Sequence, residues 1–175
     1  MKKRLIIYFN YHPNGQADAA CRFAVQQMAA VGPVFFVNNG SLQPVSRQWA
    51  PGCCHTVLER ENTGFDVGAY RDAVFLTGLD MLLHYDEVVL MTYTLAGPVG
   101  DVAAMFAALD GRPELDFWGL TRPSAMRRPR LGGATAMVPA TIQSHFLVVR
   151  SPLMADSFAY WQTAAQLPRN DSNLR

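Results

Sequence analysis

Residues 60–71 read R-E-N-T-G-F-D-V-G-A-Y-R. Arg60 and Arg71 bracket the run with planar donor forks suited to a diphosphate. Gly64 and Gly68 leave room for a ligand to approach the backbone. Asn62, Thr63 and Tyr70 complete the polar set. A helix beginning near Asp66 turns its positive end toward an anion. The Asp66 carboxylate opposes that anion unless it holds a ligand hydroxyl. As plain structure, the same run is a loop with a capping Asp and two solvated arginines. So dense a mixture of Gly and polar residues between flanking arginines favours the binding reading.

Three other stretches carry polar groups in quantity. Asn38-Asn39-Gly40-Ser41 follows an apolar run, and Asn-Gly-Ser is ordinary turn chemistry. Arg122, Arg127, Arg128 and Arg130 fall in a long segment, 121–139, which reads either as a lid that clamps a diphosphate or acidic acceptor or as a solvated loop. Gln143, Ser144 and His145 precede the last apolar run. His145 can contact an acceptor or assist proton transfer, or it is a satisfied core histidine beside Phe146. Trp118, Tyr160 and Trp161 could stack on a sugar face, but core packing is the expectation for each. Cys21 lies on an apolar helix face. Cys53-Cys54-His55 lacks the paired C-x-x-C spacing and fourth ligand of a zinc site.

The elements that position these groups are short and regularly spaced. Apolar runs at 5–9, 34–37, 55–58, 87–91, 116–120 and 142–149 read as strands. Helical spacing places Ala20, Phe23, Ala24, Met28 and Val31 on one face of a helix over 17–31, which Gly32-Pro33 ends. Residues 42–52 read as irregular. Asp66 is the expected N-cap of a helix running to about residue 83, with Val67, Tyr70, Val74 and Met81 on one face. Asp101 caps a helix over 102–109, and a last helix covers 152–166. Strands alternating with helices predict an α/β fold, a mostly parallel sheet with helices on both faces. Strands five and six lack an intervening helix, which fits ferredoxin-like and flavodoxin-like sheets less well than a sheet with one reversed strand.

The 175 residues fit one domain with a sizeable core, and half of them are hydrophobic. Fifteen basic residues against fourteen acidic ones leave a net charge of +1, which supports no nucleic-acid partner. The N-terminal apolar run stops at Asn10, short of the ~7–15 residues of a secretory h-region. No stretch approaches the ~20 apolar residues of a membrane span. A cytoplasmic protein with no transmembrane segment is expected.

Read in order, E-N-T-G-F-D-V-G-A-Y, V-V-L-M, G-P, F-W-G-L-T and I-Q-S-H-F-L-V resemble the rhamnan synthesis protein F family over roughly residues 5–161. The resemblance implies a GT-A-like glycosyltransferase of bacterial surface polysaccharide assembly. Its partners would be a nucleotide-diphospho-sugar donor and a glycan or lipid-linked acceptor, met at the inner face of the membrane. It implies a nucleotide-sugar site of Asn38, Asn39, Arg60, Asn62, Gly64, Asp66, Gly68, Tyr70 and Arg71, with the two asparagines near the nucleotide base. Arg127, Arg128, Gln143 and His145 would serve the acceptor or lid. GT-A enzymes place Asp-x-Asp after the fourth strand to hold a divalent metal. Here the turn is Thr92-Tyr93-Thr94, and neutral hydroxyls are poor sole ligands for Mg²⁺ or Mn²⁺. No metal or other cofactor is therefore predicted. Either the protein works without metal or it is a non-catalytic binding module. The chain is expected to be a single GT-A-like domain over 1–175 that lacks the family's later part, and no catalytic base is named.

Overall fold

The structure, a computed structural model, describes residues 2–122, 126–129, 135–138 and 142–164. Six strands form the main sheet in the order β3-β2-β1-β4-β8-β5. These are β1 (Arg4–Tyr11), β2 (Val34–Asn39), β3 (Thr56–Arg60), β4 (Glu87–Thr92), β5 (Phe117–Gly119) and β8 (Phe146–Arg150). β1 is parallel to β2 and β4, and β2 is parallel to β3. β8 pairs antiparallel with both β4 and β5, so β5 runs with the parallel set. The expected mostly parallel sheet with one reversed strand is what forms. The amino end of β8 therefore meets the carboxyl ends of β1 and β4.

Both faces of the sheet are covered, which is why the strands are apolar almost throughout. Alternation along β1 sends Ile6 and Tyr8 to one face and Leu5, Ile7 and Phe9 to the other. The first face packs on α1 (Ala19–Ala29) and α5 (Val102–Asp110). The second packs on α3 (Phe65–Thr77), α4 (Leu79–Leu82) and α6 (Met154–Ala164). Trp118 and Trp161 are buried in these layers, as expected, whereas Tyr160 is exposed.

Several elements differ from the sequence reading. β2 continues through Asn38 and Asn39, so both lie in the sheet and not in the following turn. Residues 42–52 are not irregular: Pro at the first helical position starts α2 (Pro44–Trp49), and a 3-10 turn follows over Ala50–Gly52. The helix expected to run from Asp66 to residue 83 is two helices. Gly64 caps the first, and Gly78 at φ 77 breaks the chain between them. Phe23, Val67 and Met81 face outward, because α1 buries Cys21, Ala24, Val25 and Met28 and α3 buries Ala69, Tyr70, Ala73 and Val74. Residues 121–139 are not a plain loop. They contain β6 (Met126–Pro129) paired antiparallel with β7 (Thr135–Val138). Asp18 and Asp101 cap α1 and α5, accepting from Cys21 N and Ala104 N at 2.8 and 3.0 Å.

A buried ionic cluster closes the end of the sheet opposite the strands' carboxyl termini. Glu87, fully buried, accepts from Arg4 Nε at 2.7 Å and Arg150 Nε at 2.8 Å. Arg4 also pairs with Asp110, and Arg150 donates to the carbonyls of Leu109 in the last turn of α5 and Leu115 beyond it. Burial alone would push the Glu87 carboxyl up, but the Arg150 and Arg4 bonds outweigh it and hold the group below the ordinary carboxylate range.

Candidate functional site

The motif at 60–71 builds a brace. Register pairs Asn39 with Arg60, and Gly40 N donates to Arg60 O at 2.6 Å. The turn after β2 and the loop after β3 thus lie side by side at the carboxyl ends of adjacent strands, as their positions implied. Arg60 is not free to meet a diphosphate. Its guanidinium donates to Asp72 Oδ2 at 2.6 Å, Asn39 Oδ1 at 2.7 Å and Thr63 O at 3.0 Å. Arg71 turns to the other Asp72 oxygen, at 2.6 Å. One carboxylate, Asp72, is thus shared by the two arginines. That partner went unread because it sits beside Arg71 as a plain helix-surface residue.

Asn39 is also committed. Fully buried, it donates to Asn62 Oδ1 at 3.0 Å and to Phe65 O at 3.2 Å. Asn38, equally buried, accepts from Asn10 Nδ2 at 2.8 Å and donates to Gly40 O at 2.7 Å. Neither amide presents an exposed edge. The room expected at Gly68 is filled by the protein itself: a Cβ there would stand 2.3 Å from Thr63 O. At Gly64 and Phe65 the chain passes through two left-handed residues, φ 74 and 50. Phe65 has no glycine licence for that conformation. The Asn39 bond to its carbonyl helps hold it there, and Asp66 follows in the first turn of α3.

Asp66 faces a cavity of about 230 Å³. The walls are Phe9 and Tyr11 from β1, Asn62 and Phe65 from the braced loop, Thr92, Tyr93 and Thr94 after β4, and His145 before β8. In the order β3-β2-β1-β4 the chain leaves β1 in one direction and returns on its other side. The β1/β4 crevice is the switch point at which open α/β sheets bind ligands. Thus Asn62, Asp66, Thr92, Tyr93, Thr94 and His145 of the expected set come together.

Hydrogen bonds tie these groups to one another. Ser144 Oγ donates to Asp66 Oδ2 at 2.8 Å, and Val67 N to Asp66 Oδ1 at 2.9 Å. Tyr70, buried beneath, donates to Ser144 O at 3.2 Å. On the facing wall Thr92 Oγ1 bonds Thr94 Oγ1, which bonds His145 Nδ1 at 3.0 Å. Thr92 N donates to His145 O at 3.0 Å, fixing the turn against β8. Tyr93 packs edge-on to Phe9 and Tyr11, with ring centroids 5.5 and 6.4 Å apart. Burial, then the Asp66 charge, raises the Tyr70 phenol well above its ordinary range. Burial first, and then Tyr11 and Asp66, raises that of Tyr93. Both phenols stay protonated and can donate. Phe9 and Tyr11 were missed; the signal was the aromatic pair ending the first apolar run beside Asn10.

Tyr11 and Tyr93 also wall a second cavity of about 370 Å³, with His12, Gln16 and Asp18 of the β1–α1 loop. Gln143 lines neither cavity; its backbone N–H donates to Thr121 O at 3.0 Å. Arg127 and Arg128 lie on β6. Arg130 lies outside the described residues. The donor set at the turn after β4 does not fit Mg²⁺ or Mn²⁺. Its two hydroxyls bond each other and His145, and Asp66 is the one carboxylate among the described lining residues. Among the described residues no group of three or more His, Cys, Asp or Glu is arranged to hold a metal. None of their helices is long and apolar enough to cross a membrane.

A family model described as rhamnan synthesis protein F matches residues 34–172, well over half of the chain. A search of curated proteins finds no match. Among solved structures, the apo form of the glycosyltransferase GlyE of Streptococcus pneumoniae TIGR4 is 12% identical with a TM-score of 0.49. A second GlyE structure from the same organism is 14% identical with a TM-score of 0.46. Each alignment covers 100% of this chain but 41% of the GlyE chain, so this chain spans less than half their length.

Proposed function

The chain belongs to the rhamnan synthesis protein F family, and on that premise we propose that it is a glycosyltransferase-like protein of bacterial surface polysaccharide synthesis. In this reading residues 1–175 are one GT-A-like domain working at the cytoplasmic face of a membrane. It takes a sugar, rhamnose by the family's name, from a nucleotide-diphospho donor and passes it to a glycan or lipid-linked acceptor. The observation that carries the reading is the β1/β4 cavity. Four separate segments deliver aromatic faces, an amide, hydroxyls, a carboxylate and an imidazole to it. Aromatic faces with a few placed polar groups suit a sugar ring, and about 230 Å³ is below the ~300–1,000 Å³ of drug-sized sites. The neighbouring cavity beyond Tyr11 and Tyr93 has room for the nucleoside.

Transfer is displacement at the anomeric carbon, with the diphosphate leaving. The departing charge needs cationic donors. Arg60 and Arg71 both bond Asp72, so the source in this reading is the arginines after β5, among them Arg122, Arg127 and Arg128. Arg122 follows β5, which pairs with β8, the strand that His145 precedes. The test is titration of thymidine-diphosphate rhamnose and related nucleotide sugars into the protein, with release of nucleoside diphosphate followed in parallel. Binding with turnover supports transfer, and the absence of both refutes it. A non-catalytic nucleotide-sugar or carbohydrate-binding module is the second reading. It is favoured by Thr92-Tyr93-Thr94 standing where a carboxylate pair would hold metal, and its signature is binding without turnover.

A further inference from the structure

We propose that Asp66 is the general base that takes the proton from the attacking hydroxyl, with Ser144 as its positioning residue. The inference rests on the transfer reading above and adds the catalytic group that reading lacks. Three observations converge on Asp66. It is the carboxylate of the described cavity wall. Each oxygen has one fixed donor, Ser144 Oγ on Oδ2 and Val67 N on Oδ1. A carboxylate offers about four lone-pair sites, so acceptor capacity remains toward the cavity. Within residues 2–122 and 142–164 no lysine or arginine pairs with it, whereas Asp72, Glu59 and Glu87 are each held by arginine. A carboxylate oxygen with an unused lone pair on a cavity wall can accept a hydroxyl proton.

A further observation is what the fold spends to hold it there. Phe65 keeps a left-handed φ of 50, a conformation that costs of order 1–3 kcal/mol and persists only when its surroundings fix it. Those surroundings are the motif itself: Asn39 on Phe65 O, Arg60 on Asn39 and Thr63, and Gly68 against Thr63 O. From the far side of the chain, Tyr70 holds the backbone of Ser144, and Ser144 holds Asp66. Residues that a sequence reading assigns to the ligand thus converge on one carboxylate. Chemically, the acceptor O–H proton passes to Asp66. The acceptor oxygen bonds the anomeric carbon, and the anomeric C–O bond breaks with its electron pair leaving on the diphosphate.

The experiment uses the whole chain, thymidine-diphosphate rhamnose as donor, and water or a methyl rhamnoside as acceptor. Diphosphate release gives kcat and KM, and calorimetry gives donor affinity. Asp66→Asn and Asp66→Ala should lower kcat by about 10²–10⁴-fold, the usual weight of a general base, while donor affinity stays within about threefold. Formate should restore about tenfold or more to Asp66→Ala, acting as an external base. Ser144→Ala should lower kcat by about tenfold at unchanged KM, gain nothing from formate, and recover in Ser144→Thr, which keeps the hydroxyl. Wild-type-like turnover in Asp66→Ala overturns the assignment, as does loss of donor binding without formate rescue. Loss confined to His145→Ala hands the role to the imidazole. A wild-type protein that binds donor but releases no diphosphate overturns the transfer reading itself, and this assignment with it.

Discussion

Arg60→Ala separates a brace from a ligand contact. The side chain is almost wholly buried and makes hydrogen bonds to Asp72, Asn39 and Thr63. Removing it leaves Asn39 Oδ1 without its donor inside a fully buried amide, at a cost of about 1–3 kcal/mol. The Asp72 carboxylate keeps Arg71 and is partly exposed, so the lost ion pair adds only about 1 kcal/mol after solvent screening. The sum is roughly 3 kcal/mol, or a fall in Tm of about 6–12 °C for a chain of this size. Urea and thermal melts at neutral pH would measure it. Donor affinity, taken well below the new Tm, should fall only as far as the Phe65–Asp66 turn loosens. A variant of unchanged stability that has lost diphosphate affinity would refute the brace and restore Arg60 to the ligand.

Three further outcomes follow from the same geometry. Gly68→Ala drives a methyl group to 2.3 Å from Thr63 O and should cost about 1–3 kcal/mol in a urea melt, the usual range for overpacking. A neutral result would mean the loop does not press on α3. Glu87→Gln leaves Arg4 and Arg150 without their carboxylate and should cost about 3–5 kcal/mol at pH 7. The Glu87 carboxyl is lowered in the fold, so its contribution is full above the unfolded value near ~4.3 and disappears as pH falls through the lower folded value. The gap between wild type and variant should therefore close on acidification, and a pH-independent gap would contradict the sign. Donor binding should be unmoved by chelators, since Thr92 and Thr94 offer only hydroxyls already engaged; a calorimetric signal that requires Mg²⁺ or Mn²⁺ would overturn this.

The sheet was legible because parallel strands covered on both faces leave unbroken apolar runs, and the missing helix between the fifth and sixth runs left place for the reversed one. Gly64 and Phe65 misled the helix start. Asp66 followed by apolar residues reads as a cap, but left-handed backbone is invisible in residue type when the second residue is Phe. The site was half legible. Asn62, Asp66, the Thr92–Thr94 turn and His145 stood out because polar groups end apolar runs there. Arg60, Arg71, Asn38 and Asn39 stood out for the same reason, yet they bond one another and their neighbours. Spacing cannot tell a donor aimed at a ligand from one aimed at Asp72, since that depends on how α3 returns over β2 and β1. Phe9 and Tyr11 escaped notice because aromatic residues at a strand end look like core until the crevice beside them is seen.

The most direct measurement is a backbone-amide NMR titration of the protein with thymidine-diphosphate rhamnose. The account predicts saturable shifts clustered at Asn62, Asp66, Tyr93, Thr94, Ser144 and His145, extending to Tyr11 and His12 as the nucleoside fills the adjoining cavity. Shifts centred on Arg71 and the outer face of α3, or none at millimolar donor, would contradict it.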